Sequence, residues 1–361
     1  MIYLPKERRT KLAERKKRDT ANLRSALVKA VFLNEGTVNI LEMAAAFGVS
    51  AAAVYKQLAR LEEDNLLTSA KEGRSNRYAL SDIVTLNRSY PTDGLQEDVI
   101  LSRDMSAILE GVTPVVRSVF SYVFTEMLNN AVDHSESAEV SVYAYRNAAA
   151  VGCFLTDQGV GIFTKIQQAM QLSEKRFAIL ELAKGKFTTA PDSHTGEGIF
   201  FSSKVADRFY IFSDSLAFIG DNCRGNADPM LMDPLSDAVR QGTRVCFEIA
   251  LDRTVTFADV TNRYTEAPDD YGFSKTVVPV RLLEYREANP LFISRSQAKR
   301  LLTRFDRFRN IVLDFSGVPE IGQGFADEVF RVFVAQHPDT ALSYANATPA
   351  VGRMIRRAQS N

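Results

Sequence analysis

In the stretch FTEMLNNAVDHS, Phe124 to Ser135, the residues Glu126, Asn130 and Asp133 fall at i, i+4 and i+7 and so share one face of a helix. That face borders the apolar stripe of Val116, Phe120, Val123, Met127 and Ala131. Polar groups at the rim of a buried side cost on the order of 1–3 kcal/mol each when neutral and unsatisfied, so something must satisfy them. A carboxylate in such a partly dry place can work as a base, because desolvation raises its pKa toward neutrality. Three glycine motifs follow in the chain: Asp157-x-Gly159-x-Gly161, Gly196-x-Gly198 and Gly242-Thr243. Glycine permits close backbone approach, and one at a helix start leaves N–H groups suited to phosphate. Taken singly, each motif is a common turn.

The elements that must position them follow from periodicity. Helices are predicted over about 95–111 and 114–133, the second opening with Pro114 at a favoured first-turn position. The strands EVSVYAYR and AAVGCFLTD, joined around Asn147, deliver Asp157; HTGEGIFFSSKVADRF places Gly196 and Gly198 at a helix start; after two further strands, QGTRVCFEIAL puts Gly242-Thr243 before a last strand. The order ExxxN, DxGxG, GxG, GT over residues 95–251 resembles the GHKL family, the ATP-binding domains of histidine kinases, anti-sigma-factor kinases, gyrase and mismatch-repair ATPases. The resemblance implies ATP and Mg²⁺ as cofactors. It makes Asn130 the Mg²⁺ ligand, and one amide oxygen is enough for a cation that keeps several waters and phosphates. It makes Glu126 the residue that orients or deprotonates the attacking water or hydroxyl, and Asp157 the acceptor for the adenine amino group, with Thr243 nearby holding its water. Asp133 lies deeper on the adenine side, Gly159 and Gly161 approach the nucleotide, and Gly196 and Gly198 offer N–H groups to phosphate. Residues 162–195 correspond to the ATP lid, with Lys184, Lys186 and Thr195 as phosphate-contact candidates and His194 read as a solvent-facing loop residue. A sensor histidine kinase needs an acceptor histidine on an upstream helical hairpin; the only histidines are His134, His194 and His337, and none sits there.

Ahead of this region, KERRTKLAERKKR carries eight basic and two acidic residues, within a tail assigned to residues 1–19. Residues 20–90 resemble a winged helix-turn-helix domain. Ala44 to Ser50 carries a small residue for a close helix crossing, Gly48 for a left-handed turn, Val49 to plug the core and Ser50 to cap the next helix. That helix buries Val54, Leu58 and Leu61 and exposes Tyr55, Lys56 and Arg60; two strands follow around a basic turn with Lys71, Arg74 and Arg77. The resemblance implies double-stranded DNA as partner, the helix entering the major groove and the wing touching backbone, with strongly salt-dependent affinity. Glu62, Glu63 and Asp64 oppose it, and such domains also dock proteins.

Residues 252–273 read as a linker, and 274–361 alternate β-α-β-α. IVLDFSGVPEIGQGFADEVFR resembles the strand–loop–helix of STAS domains, the fold of anti-anti-sigma factors, which implies a regulatory protein partner. Gly324 stands where those factors carry a phosphorylated serine, and Ser316 is the nearest serine, so phosphotransfer onto this domain is not supported.

At 361 residues, 45% hydrophobic and 24% charged, the chain fits a soluble protein of about two or three domains. It has no apolar run for a membrane span and no signal-peptide core. Cys153, Cys223 and Cys246 fit reduced thiols in a cytoplasmic protein. The expected architecture is multi-domain α+β: a mostly α winged helix, a GHKL α/β sandwich and a small STAS-like α/β domain. The expected function is an ATP-switched, DNA-binding transcription regulator. Two alternatives stay open: a serine/threonine protein kinase of the anti-sigma-factor type, and an ATP-operated clamp or assembly scaffold. A homodimer is also left open, and any ATPase activity using Glu126 is expected to be slow.

Overall fold

The computed structural model describes residues 21–73, 75–186, 196–223, 226–232, 241–265, 273–283 and 294–360. The basic tail, Arg74, His194 and Thr195 lie outside the described residues.

A helix over 21–33 (α1) packs Leu23, Leu27 and Val31 against α2 (Ile40–Phe47) and α3 (Ala51–Glu63). Local chemistry sets the last two. The Asn39 side chain accepts from the Glu42 N–H to start α2, Gly48 turns the chain left-handed at φ 61°, and the Ser50 hydroxyl accepts from the Ala53 N–H to start α3. Ala44 lies at the crossing, and Val54, Leu58 and Leu61 are buried. Val49, expected in the core, is 37% exposed: the left-handed turn at Gly48 carries it outward, and α3 supplies the core residues. β1 (Leu67–Glu72) and β2 (Ser75–Leu80) form an antiparallel hairpin.

β3 (Val84–Pro91) corrects the expected boundary at residue 90. It pairs antiparallel with β4 (Glu139–Arg146), from Val84 opposite Arg146 to Pro91 opposite Glu139, and so belongs to the middle of the chain. It is an edge strand, where a terminal proline is tolerated. The seven-stranded sheet runs β3-β4-β5-β9-β6-β7-β8. The remaining strands are β5 (Ala150–Asp157), β6 (Arg208–Ser213), β7 (Leu216–Asp221), β8 (Asn226–Met232) and β9 (Arg244–Ala250), all antiparallel to their neighbours. Where two strands were expected before the last one, there are three. On one face lie α4 (Glu97–Asp104), α5 (Pro114–His134) and α8 (Gly198–Val205). α5 is capped by the Thr113 hydroxyl and buries Val116, Phe120, Val123, Met127 and Ala131, along with Val119, Phe124 and Leu128.

The C-terminal unit is a three-stranded parallel sheet, β10 (Lys275–Pro279), β11 (Asn310–Asp314) and β12 (Ala341–Ala345), in that order. Helix α10 (Arg295–Leu302) starts with a capping box, Ser294 to the Gln297 N–H and Gln297 back to the Ser294 N–H. α11 (Gln323–Asp327) runs through a π-helical stretch, Glu328–Phe333, into α12 (Val334–Gln336), and α13 (Pro349–Gln359) closes the unit. The expected linker 252–273 instead holds a short helix, α9 (Phe257–Thr261), with its own capping box. Phe273 packs on Phe200 and Phe308 at 4.5 and 5.4 Å between ring centres. These aromatics join the middle and C-terminal units in one apolar core.

α6 (Ile162–Met170) packs on α7 (Phe177–Lys184), and α7 lies against α8 of the middle unit and β10 of the C-terminal unit. All eight residues of α7 are buried.

Candidate functional site

The site is organised along α5. Its Glu126 carboxylate lies against Gly198, the first residue of α8: a β-carbon there would overlap Glu126 Oε2. Nine residues further on, about 13 Å along the axis, the helix ends at Ser135. The Ser135 carbonyl accepts the Val160 N–H at 2.9 Å, and the Gly159 backbone presses so close that a β-carbon would stand 2.6 Å from the Ser135 carbonyl carbon. One helix thus touches the GxG segment and the DxGxG turn, though these are separated by more than thirty residues of chain. Between the contacts Asn130 Nδ2 donates to the Glu126 carbonyl at 2.7 Å. That bond uses one of the two N–H groups of the amide.

Asp157 closes the far end. It is buried at the end of β5, and its Oδ1 accepts from the Gly159 N–H at 2.9 Å and the Thr243 N–H at 3.2 Å. Burial raises its pKa above the ordinary aspartate value, and the two backbone bonds oppose that only in part. Both bonds fall on Oδ1 and neither on Oδ2. The Thr243 hydroxyl accepts the Ile162 N–H at 3.0 Å, which ties α6 to the same corner. Gly242 (φ 77°) admits the turn here: a β-carbon on it would lie 2.8 Å from Gln158 Cα. Gly161 (φ 85°) faces Ser213 and Asp214 at β-carbon distances of 2.7 and 3.0 Å. These glycines answer to protein neighbours, so close packing of the corner is one sufficient reason for them.

Three predicted positions differ from expectation. Asp133 is exposed in the last turn of α5; a shared helix face sets direction but not depth. Lys186, half-buried, donates to the Arg307 carbonyl at 2.9 Å and lies 5.0 Å from the centre of the Phe308 ring. Lys184, the other lysine considered for phosphate, is fully buried, bonded to Glu181 Oε1 at 2.6 Å and to the Thr303 carbonyl at 3.0 Å. Burial lowers the pKa of both lysines. Gly196 has φ 71°, the left-handed conformation.

Glu197 escaped the sequence reading, although its place between Gly196 and Gly198 was the visible signal. Burial raises its pKa, Lys186 opposes the rise and Glu126 adds to it. A negative charge there would weaken phosphate binding at this helix start, so its protonation or pairing matters to anything that binds. Ser135 was also missed; only its backbone carbonyl takes part, and backbone roles leave no mark on residue type.

The residues fit a nucleotide and a cation on two observations. Asp157 holds backbone N–H groups with Oδ1, leaving Oδ2 to accept from an amino group, and Asn130 bonds backbone through its amide nitrogen, leaving its single oxygen Oδ1 as a neutral ligand suited to a hard cation.

On the N-terminal unit Tyr55, Lys56, Arg60 and Lys71 are exposed. Asp64 pairs with Arg24 of α1 at 2.6 Å. Arg77 is drawn back onto the hairpin, bonded to the Glu35 carbonyl at 3.1 Å and paired with Glu72 at 3.2 Å.

Comparison with known families adds one finding. A model described as a STAS-like domain of unknown function (DUF4325) matches residues 297–351, from within α10 to the start of α13. The C-terminal segment is similar to that family. No curated protein matches the chain. Among the described residues no helix is long and apolar enough to cross a membrane.

Proposed function

We propose that this chain is an ATP-dependent regulator. In this reading a GHKL-type pocket over α5, the DxGxG turn and the GxG segment binds ATP with Mg²⁺, and a winged helix at the N-terminus binds double-stranded DNA. The STAS-like segment receives the nucleotide signal or engages a protein partner. The observation that carries the reading is α5 itself. It holds Glu126 on the α8 N-terminus and Ser135 on the DxGxG turn, about 13 Å apart along the axis, on the order of the length of an extended nucleoside triphosphate.

Within that pocket Asp157 Oδ2 would accept a hydrogen bond from the adenine amino group, and Asn130 Oδ1 would hold the cation. Backbone N–H groups at Gly196 and Gly198 receive phosphate. Mg²⁺, when bound, supplies charge neutralisation between phosphates. Glu126 positions the attacking water and accepts its proton, and the positive end of α8 steadies the carboxylate. Hydrolysis is then slow and secondary to switching.

Support for a path to the N-terminal unit comes from Arg208. It pairs with Glu248 at 2.9 Å on the sheet and donates to the carbonyl of Phe32 on α1. Lys29 of α1 also pairs with Asp252, just past β9, at 2.6 Å.

A kinase acting on its own C-terminal segment is disfavoured. Gly324 has no hydroxyl, and the Ser316 hydroxyl donates to the buried Asp314 at 2.8 Å. The test is Mg–ATP binding by calorimetry together with affinity for random duplex DNA, for wild type and Asn130→Ala. The reading requires ATP to shift DNA affinity and the substitution to abolish the shift. Flat DNA affinity despite ATP binding would move the winged helix to a protein partner and bring the scaffold or kinase forward.

A further inference from the structure

We propose that the outer face of α13 is a second DNA-binding surface, which holds the phosphate backbone of a duplex through Arg353, Arg356 and Arg357. The inference rests on the DNA-binding reading above and adds a contact on the STAS-like unit to the one on the winged helix.

α13 opens on a firm cap: the Thr348 hydroxyl accepts from the Val351 N–H, and Pro349 stands in the first turn. Val351, Ile355 and Ala358 bury one side of the helix in the C-terminal unit. The three arginines are exposed on the opposite side. Arg356 and Arg357 follow Arg353 by three and four residues, which puts their β-carbons about 5–6 Å from its own.

Two other exposed arginines of this unit already have partners. Arg295 pairs with Asp327 at 3.3 Å and with Glu328 at 3.6 Å, and Arg331 pairs with Asp327 at 2.5 Å. Among the described residues, none of the α13 guanidiniums has a hydrogen bond or an ion pair, and the sequence holds no Asp or Glu after Asp339. The helix dipole favours cations in the last turn, where Arg356 and Arg357 lie, but its effect falls off within that turn and does not reach Arg353. Like charges at this spacing repel one another, and an anion laid across them relieves the repulsion.

A guanidinium fork takes carboxylate and phosphate alike, so the rest of the surface selects the partner. The apolar side of α13 is used inside the unit, which leaves nothing to enter a membrane surface. Tyr344 is 39% exposed and rests on Phe330, at 5.9 Å between ring centres, in the π-helical stretch against which α13 also packs. An aromatic ring beside cations suits a sugar or base better than it suits an acidic peptide. A helix also holds its three charges at fixed spacing, which matches the regular phosphates of a duplex.

The test uses the full chain and a random duplex of about 40 base pairs, titrated by fluorescence anisotropy between roughly 50 and 200 mM salt. Replacing Arg353, Arg356 and Arg357 together by glutamine should lower the salt slope by about 2–3 and weaken binding about tenfold or more at low salt. Replacing all three by lysine keeps the charge and should keep the slope. The loss should add to that from Lys56 and Arg60, because the two faces share no residue. Arg353→Gln alone should lower the slope by about 1, which keeps the test decisive if the triple variant melts early. An unchanged slope in the glutamine variants would overturn the α13 surface while the winged helix stands. Polyglutamate that binds the wild type as tightly as the duplex does, and no longer binds the glutamine variant, would assign the face to an acidic protein segment and overturn the choice of DNA. No DNA binding by the wild type would overturn both readings.

Discussion

Replacing Lys184 by methionine removes a charge from the most enclosed ionic group among the described residues. Its ammonium makes three bonds: Glu181 Oε1 at 2.6 Å, the Thr303 carbonyl at 3.0 Å and the Arg300 carbonyl at 3.3 Å. The two carbonyls belong to the C-terminal end of α10, where helices leave acceptors unpaired and where a cation is favoured by the dipole. Glu181 is also held by Arg304 at 3.0 Å. Breaking a buried pair by removing one partner costs about 3–5 kcal/mol when the other charge is left alone. Here Arg304 remains, which reduces that cost, while two carbonyls lose a donor at about 1 kcal/mol each. Methionine keeps most of the volume, so the expected loss is about 3 kcal/mol. For a cooperative unit of about 150–250 residues this lowers Tm by roughly 6–12 °C. The assay is thermal melting by circular dichroism, with urea titration as a second measure. A control replaces Glu181, Lys184 and Arg304 together with apolar residues; with no charge stranded, it should melt above the single variant. A Tm for Lys184→Met within about 2 °C of wild type, or a triple variant less stable than the single one, would refute the reasoning.

Further outcomes follow from the candidate site and the N-terminal unit. Asp157→Asn keeps an acceptor for the Gly159 and Thr243 N–H groups but removes a buried charge and turns the free oxygen into a donor. It should melt no lower than wild type at neutral pH while losing ATP affinity about tenfold or more. The sign follows from the raised folded pKa of Asp157. Its stabilising neutral form is fully present below the ordinary value of 3.8 and is lost as pH rises through the folded pKa, so the variant's advantage should shrink as pH falls. A gap that widens toward acid in melts from pH 8 to pH 4 would contradict this. Substituting Lys56 and Arg60 together by alanine should weaken binding to random duplex DNA and lower the salt slope by roughly 1–2, the loss of one or two phosphate contacts. An unchanged slope in titrations across salt would remove α3 from the DNA interface.

Much of the local structure was legible in the sequence because it depends on residues a few positions apart. Gly48 and Ser50 mark a turn and a cap, Pro114 opens α5, and the alternation of EVSVYAYR makes β4. The face shared by Glu126 and Asn130 is likewise a matter of 3.6-residue geometry. So is Asp157 at a strand end before two glycines. The contacts those residues then make were not legible. That Gly198 lies on Glu126, and that Gly159 lies on Ser135, depends on how α8 and the turn pack on α5.

The sequence by itself determined most of the helices and strands, though not β8 or α9, along with several caps and glycine turns and the apolar face of α5. Only the tertiary structure decided ownership. β3 reads as the end of the N-terminal unit but completes a sheet with β4, because strand partners are chosen by hydrogen-bond pairing across long chain separations. Lys184 and Lys186 read as cations near a glycine-rich stretch and so as phosphate ligands. In the fold α7 is enclosed on all sides, and carbonyls at the end of α10 together with that of Arg307, in the 3₁₀ turn Phe305–Arg307, stand opposite the two lysines. Lys184 pairs with Glu181 three residues back, but its other acceptors, and that of Lys186, are main-chain oxygens more than a hundred residues away, which no residue type encodes.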